Sequence, residues 1–343
     1  MRVKHIAQAV LFSLPWLARP ALPQQQQFAE LGDFKLESGE TLRGCRIGYR
    51  TLGQLNAQKS NVMLLPTWAG GTTEQLMGSA GPGKLADTSR YYVILVDALS
   101  NGVSSSPSNS RAQPHMRFPK ITIRDMVNTQ HELLTRVLHI PHVRAVMGVS
   151  MGGMQTFQWL VAYPDFMERA VPIVGSPRVA PYDLLLWQAQ IDAIETDPAW
   201  QGGDYAKNPA RGAEYEFGAL LLTTPGHYNR ITTRQQVLEH IAEAKKSGGG
   251  SDANDKIRQS EAMMALDVAA PFGGSMERAA AAVKARALVV VSKNDHVVTP
   301  GPAVEFAHGI RAELLELDSD CGHMATVCEA ERIRQAVAGF LQR

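Results

Sequence analysis

Five short apolar runs, at 61–66, 91–96, 145–149, 170–174 and 287–291, are set among amphipathic stretches, and this rhythm constrains the fold more than any other feature of the chain. A run of five or six apolar residues without alternation has two faces to bury, the situation of a strand inside a parallel sheet covered by helices. Helical patterns separate several of the runs. The clearest spans 123–138, where Met126, Leu133, Leu134 and Val137 fall at helical spacing before Pro141. The expected class is therefore α/β, a mostly parallel central sheet flanked by helices. Ahead of it, 34–51 alternates apolar and polar residues around Gly39 and Gly44, as antiparallel edge strands joined by turns would. Between Pro181 and Met276 the strand rhythm stops, helical patterns with Trp187 and Trp200 take over, and 245–252 has linker composition. We expect an inserted helical lid over 181–276, with the core in two pieces, 28–180 and 277–343.

A chain of 343 residues, 45% hydrophobic, can supply a large core and such a lobe. Its formal charge of +1, from 34 basic and 33 acidic residues, offers no general attraction to phosphate backbones or anionic membranes, so a nucleic-acid partner is disfavoured. No segment past the leader reaches the roughly 18 unbroken apolar residues of a membrane helix. Residues 1–27 resemble a signal peptide: Arg2 and Lys4 precede an apolar run at 6–17, then a Pro/Gln-rich stretch. That implies a periplasmic or secreted protein. Trp16 and Arg19 stand where a small residue should precede Ala18 and Ala21, so a cytoplasmic protein with a disordered leader is the alternative. Three cysteines, Cys45, Cys321 and Cys328, make no disulfide scaffold and lack zinc-site spacing. Cys321 and Cys328 flank His323, and in an oxidising compartment they would pair and brace it; otherwise they are ordinary buried thiols.

The stretch Gly148-Val149-Ser150-Met151-Gly152 closes one apolar run and opens a helical pattern that ends at Pro164. Small residues around a serine permit a tight strand-to-helix turn that lifts its hydroxyl above the sheet. A chance cluster of turn glycines with a solvated serine lacks that flanking context. A serine hydroxyl is a weak nucleophile, so a base must take its proton and an acid must orient the base. Where the serine sits on a strand-to-helix turn of such an α/β sheet, the partners follow in the chain order Ser, Asp or Glu, His. Asp295 stands just past the strand-like 288–291, and His323 lies between the strand-like 314–317 and a final amphipathic helix over 327–341. They are the candidate acid and base. Asp318, Asp320 and His296 are weaker rivals; His115, His131, His139, His142, His227, His240 and His308 lack strand-end placement. No histidine pair has a carboxylate at ligand spacing, so no metal is expected. The oxyanion requires donors: the N–H of Met151, after the nucleophile, and the N–H of Trp68 in Pro66-Thr67-Trp68-Ala69-Gly70-Gly71, unless that loop merely turns the chain.

These residues carry a wider resemblance. The stretch 61–178, with Gly81-Pro-Gly83, Asp87-Thr-Ser-Arg90, 118–127 and Gly148-Val-Ser-Met-Gly-Gly-Met-Gln155, is similar to the homoserine O-acetyltransferase family of α/β-hydrolase-fold enzymes, and the likeness extends over most of 40–343. The resemblance implies a ping-pong acyl transfer in which Ser150 takes an acetyl group from acetyl-CoA and passes it to the hydroxyl of homoserine; Asp295 and His323 fall at the family's acid and base. In the acetyltransferases an aspartate follows the histidine and a lid arginine helps bind the acceptor's carboxylate. Here Met324 and, on direct alignment, Phe217 stand at those places. Losing two charge-assisted partners of about 1.5–3 kcal/mol each weakens a zwitterionic acceptor by about two to four powers of ten, so water competes as acceptor.

The leading expectation is a serine-dependent hydrolase of short acyl or acetyl esters, with no cofactor. An O-acyltransferase using acetyl-CoA as co-substrate is the alternative, and a non-catalytic ligand-binding protein the second. The partner expected is a small-molecule ester or an acyl donor and acceptor; a homodimer is compatible with the sequence and not dictated by it. Trp187, Trp200 and Phe217 would line an apolar pocket or pack within the lid.

Overall fold

The computed structural model describes residues 25–210, 212–246 and 251–343. The leader's residues 1–24 and linker residues 247–250 lie outside the described residues. Eight strands form one sheet: β1 (Gln27–Lys35), β2 (Thr41–Leu52), β3 (Val62–Pro66), β4 (Tyr92–Val96), β5 (Val143–Val149), β6 (Met167–Ile173), β7 (Arg286–Ser292) and β8 (Glu313–Leu317), in the spatial order β1-β2-β4-β3-β5-β6-β7-β8. β1 and β2 are antiparallel, β2 meets β4 antiparallel, and from β4 onward every pair is parallel. All five apolar runs lie in central strands, because only there are both faces covered.

Alternation along these strands feeds two cores. Val62, Leu64 and Val146 face one side, where they meet Met126 of α1 (Ile123–Glu132) and Phe157 and Leu160 of α2 (Met151–Ala162). Met63, Leu65, Ala145 and Met147 face the other, with residues such as Val337 and Phe340 of the C-terminal helix Ala330–Gln342. Helix α1 starts on a capping box between Thr122 and Asp125 and continues as a wider π-type turn over Leu133–Val137.

Two expectations about the N-terminal region change. Gly44 does not join two strands: it lies within β2 at φ 57°, a left-handed position beside a β1 whose register shifts around Gly32. The core also begins before residue 28. Gln27 pairs with Tyr49, and the Gln26 side chain donates to Asp97 Oδ2 at 2.9 Å, helping to satisfy a carboxylate buried at the end of β4.

The inserted region carries α3 (Pro181–Glu195), α4 (Gly212–Leu222), α5 (Pro225–Ile231), α6 (Arg234–Ala244) and α7 (Ala253–Met264). These helices are not equally lid-like. α7 is bolted to the core by buried polar groups: Asp255 accepts from Ser108 N–H and Oγ–H, Arg258 donates to the carbonyls of Phe118 and Met116, and Gln259 accepts from Gly70 N–H while donating to Leu99 O. α6 leaves Leu238 more than half exposed.

Candidate active site

The site lies at the C-terminal ends of the parallel strands, where open α/β sheets place their crevices. Ser150 occupies the turn from β5 into α2 at φ 57°, ψ −121°, a conformation rare for a residue with a side chain. Its N–H donates to Ile173 O at 2.9 Å and its C=O accepts from Met154 N–H at 2.9 Å, so both neighbouring elements hold the strained residue. The flanking glycines are steric necessities. A Cβ on Gly148 would sit 2.2 Å from Gly152 O, and one on Gly152 would sit 2.7 Å from Pro66 O.

Around this turn the structure gathers three of the sequence candidates. His323 Nε2 lies 2.9 Å from Ser150 Oγ, and His323 Nδ1 lies 2.7 Å from Asp295 Oδ2. Asp295 is buried, and its Oδ1 accepts from Val297 and Val298 N–H at 2.8 and 2.9 Å, which fixes the carboxylate plane. The rivals are engaged elsewhere. Asp318 is exposed beside Lys293, His296 is exposed, and Asp320 is held by Arg230 and His227, which draw its carboxyl down to about 2.

The loop carrying His323 is braced from two sides. Cys321 and Cys328 are joined in a disulfide, which resolves the two readings open in the sequence. Thr224, the cap of α5, donates through Oγ1 to Asp320 O at 2.7 Å, and His227 lies with Nδ1 3.4 Å from Cys321 Sγ. Among the described residues, His227, Cys321 and Cys328 form one group close enough to share a metal, with both sulfurs already spent on each other.

Met151 is the first residue of α2, so its N–H has no intrahelical acceptor. The Trp68 N–H likewise has no acceptor among the described residues, while the Trp68 C=O accepts from Gly71 N–H at 3.0 Å. Gly71 allows that turn: a Cβ there would lie 2.5 Å from the Trp68 indole.

A cavity of about 940 Å³ opens above the serine, lined among others by Trp68, Ser150, Trp187, Leu221, His323 and Met324. One aromatic expectation fails, and for Trp200 the packing alternative holds. Phe217 is 40% exposed and outside the lining, because α4 turns Glu214, Gly218, Leu221 and Leu222 toward the cavity. Trp200 packs in a separate small cluster and donates to Asn254. Nor is the cavity stripped of charge. Lys256 of α7 stands 3.5 Å from Glu214 of α4, both in the lining, and Lys84, Glu331 and Arg334 also border it. No motif marks this pair, whose members come together only through helix packing. Sequence reasoning also missed Asp183 of α3, whose carboxylate accepts from Thr299 N–H at 3.2 Å next to the Asp295 loop; burial pushes it up to about 6.

A strained serine on a strand-to-helix turn, at the C-terminal edge of this sheet order, defines a class, and the model of the alpha/beta hydrolase fold family matches residues 61–327: the chain belongs to that family. Within it, the chain is 35% identical over 314 residues to an ethyl acetate hydrolase from Pseudomonas veronii, covering 87% of this chain and 89% of that protein. It is 30% identical over 360 residues to a homoserine O-acetyltransferase from Methanococcoides burtonii, covering 90% and 72%. The crystal structure of an acetylester hydrolase from Corynebacterium glutamicum superimposes with a TM-score of 0.87 at 26% identity, covering 93% and 96%.

Proposed function

We propose that the protein is a serine-dependent hydrolase of short acyl esters, acetyl esters foremost. The observation that carries this is the hydrogen-bonded line Ser150–His323–Asp295, whose Ser150 and His323 line the cavity; the acetyl ester hydrolases among its relatives support the acyl size. His323 Nε2 takes the Ser150 proton as Oγ attacks the acyl carbon, while Asp295 holds the tautomer with its proton on Nδ1 and stabilises the imidazolium. The N–H groups of Met151 and Trp68 receive the oxyanion. The imidazolium then protonates the departing alkoxide, leaving an acyl-serine. His323 next deprotonates a water that attacks this ester, and collapse releases the acid and restores Ser150. Every group is supplied by the chain, so no cofactor enters. The Arg2/Lys4 leader and the Cys321–Cys328 disulfide support residence in an oxidising compartment.

The second reading, acyl transfer from acetyl-CoA to an alcohol, is favoured by the acetyltransferase relative and by the Glu214–Lys256 pair, which offers an acceptor both signs of charge. Incubation with p-nitrophenyl acetate and with acetyl-CoA, each with and without homoserine, separates the two. Free acetate as the main product is expected; O-acetylhomoserine as the main product would reverse the order.

A further inference from the structure

The hydrolytic mechanism, on which this inference rests, needs the Trp68 N–H to face the cavity. A peptide unit is planar and trans, so its N–H points one way only while its carbonyl is held the other way. The Thr67–Trp68 peptide is held at its carbonyl by Gln155, whose Nε2 donates to Thr67 O at 3.1 Å and to Met151 O at 3.2 Å. Thr67 is fastened twice more, its N–H donating to Val96 O and its Oγ1 accepting from Ala98 N–H.

A carboxamide can be turned over, and a turned Gln155 would press Oε1 against two carbonyl oxygens and release Thr67. A buried relay forbids it. Gln155 Oε1 accepts from Gln130 Nε2 at 2.5 Å, and Gln130 Oε1 accepts from Trp159 Nε1–H at 2.8 Å. An indole N–H can only donate. It therefore dictates which end of Gln130 faces it, Gln130 dictates which end of Gln155 it meets, and the NH₂ of Gln155 is left for the carbonyls. All three side chains are buried to 1% exposure or less, so bulk water does not compete and a reversed amide would leave unmatched polar groups.

We infer that Gln155 is the positioning residue of the oxyanion hole, its polarity set by Trp159 through Gln130, so that the Trp68 N–H is aimed before substrate arrives. Donors fixed in advance stabilise developing charge without reorganising during the reaction.

The test compares p-nitrophenyl acetate with its thiono analogue, in which C=S replaces C=O. Sulfur is the larger and weaker acceptor, so the ester/thionoester rate ratio reads the hole rather than general integrity. In Gln155→Met we expect kcat for the oxygen ester to fall about 10²-fold with KM within about threefold, the scale of losing one oxyanion donor, and the ratio to collapse. Gln155→Glu, which faces two carbonyls with an acceptor, should do the same or worse. Trp159→Phe keeps a ring and removes the N–H, and should lower the ratio by a smaller factor. An unchanged ratio in Gln155→Met overturns the inference, whether activity is full or reduced equally on both substrates. If that variant does not fold, an unchanged ratio in Trp159→Phe overturns it instead. Ser150→Ala is the control: activity surviving there would overturn the serine mechanism itself, whereas its loss beside a wild-type ratio in Gln155→Met overturns the relay alone.

Discussion

The Cys321–Cys328 bridge spans seven positions and encloses His323, Met324, Thr326 and Val327, all of which line the cavity. Opening it should therefore affect stability and activity together. Closing a loop of that length removes denatured-chain entropy worth about 2.4 kcal/mol at 25 °C. In a chain of 343 residues that corresponds to a fall in melting temperature of roughly 3 °C. If all of that energy went into orienting His323, kcat/KM would drop by about 60-fold, which is the ceiling. The Thr224–Asp320 and His323–Asp295 contacts hold the same loop by atoms outside the bridge, so the drop should fall below it. The assay is p-nitrophenyl acetate turnover and a thermal melt of wild type, of wild type in dithiothreitol, and of Cys328→Ser. Thiol titration provides the count. Cys45 is buried and its thiol pushed up to about 12, so the native protein should react with no thiol reagent, and the denatured, unreduced protein with one equivalent. Three equivalents would show that the bridge does not form, and a Cys328→Ser protein matching wild type in both rate and melting would refute the bracing argument.

Other outcomes follow from the same geometry. Ser150→Ala should lose about 10⁴- to 10⁶-fold in kcat while still folding, measured by ester turnover and circular dichroism. Gly148→Ala should yield little folded protein, since its methyl carbon would need to occupy space 2.2 Å from Gly152 O; soluble, active Gly148→Ala would show that the turn yields. His131, stacked on Tyr163 at 4.0 Å, is held below the ordinary histidine value by burial. The unfolded chain thus binds the extra proton first, so this group's contribution to stability is present above the ordinary value and is lost as pH falls from there through the lower native value. His131→Phe should flatten that part of the pH–stability curve in urea titrations, and a curve as steep as wild type would assign the dependence elsewhere.

Much of this molecule was legible before folding was considered. The unbroken apolar runs imply central parallel strands because no other common environment buries both faces of so short a segment. Gly148, Ser150 and Gly152 imply the turn because small residues around the serine permit it: a side chain at Gly148 collides with Gly152 backbone one turn on, a local constraint with a local signature, while Gly152 is also required small by Pro66 of a neighbouring strand. Asp295 and His323 could be proposed because each follows a strand that the pattern already marked.

What stayed hidden depends on contacts between segments far apart in the chain. Phe217 and Glu214 occupy one helix, and only the packing of α4 decides that Glu214 faces the cavity and Phe217 does not. The Glu214–Lys256 pair, the bolting of α7 by Gln259, and the relay from Trp159 through Gln130 to Gln155 each join residues that no periodicity links. The amino-acid sequence by itself determined the central strands and the nucleophile turn, since hydrophobic burial and steric exclusion act on neighbouring residues, and the fold class they define then pointed to Asp295 and His323 at strand ends. Which polar groups meet inside the fold, and in which orientation, only the tertiary structure decided, because a hydrogen bond depends on distance and direction in space and leaves no period in the chain.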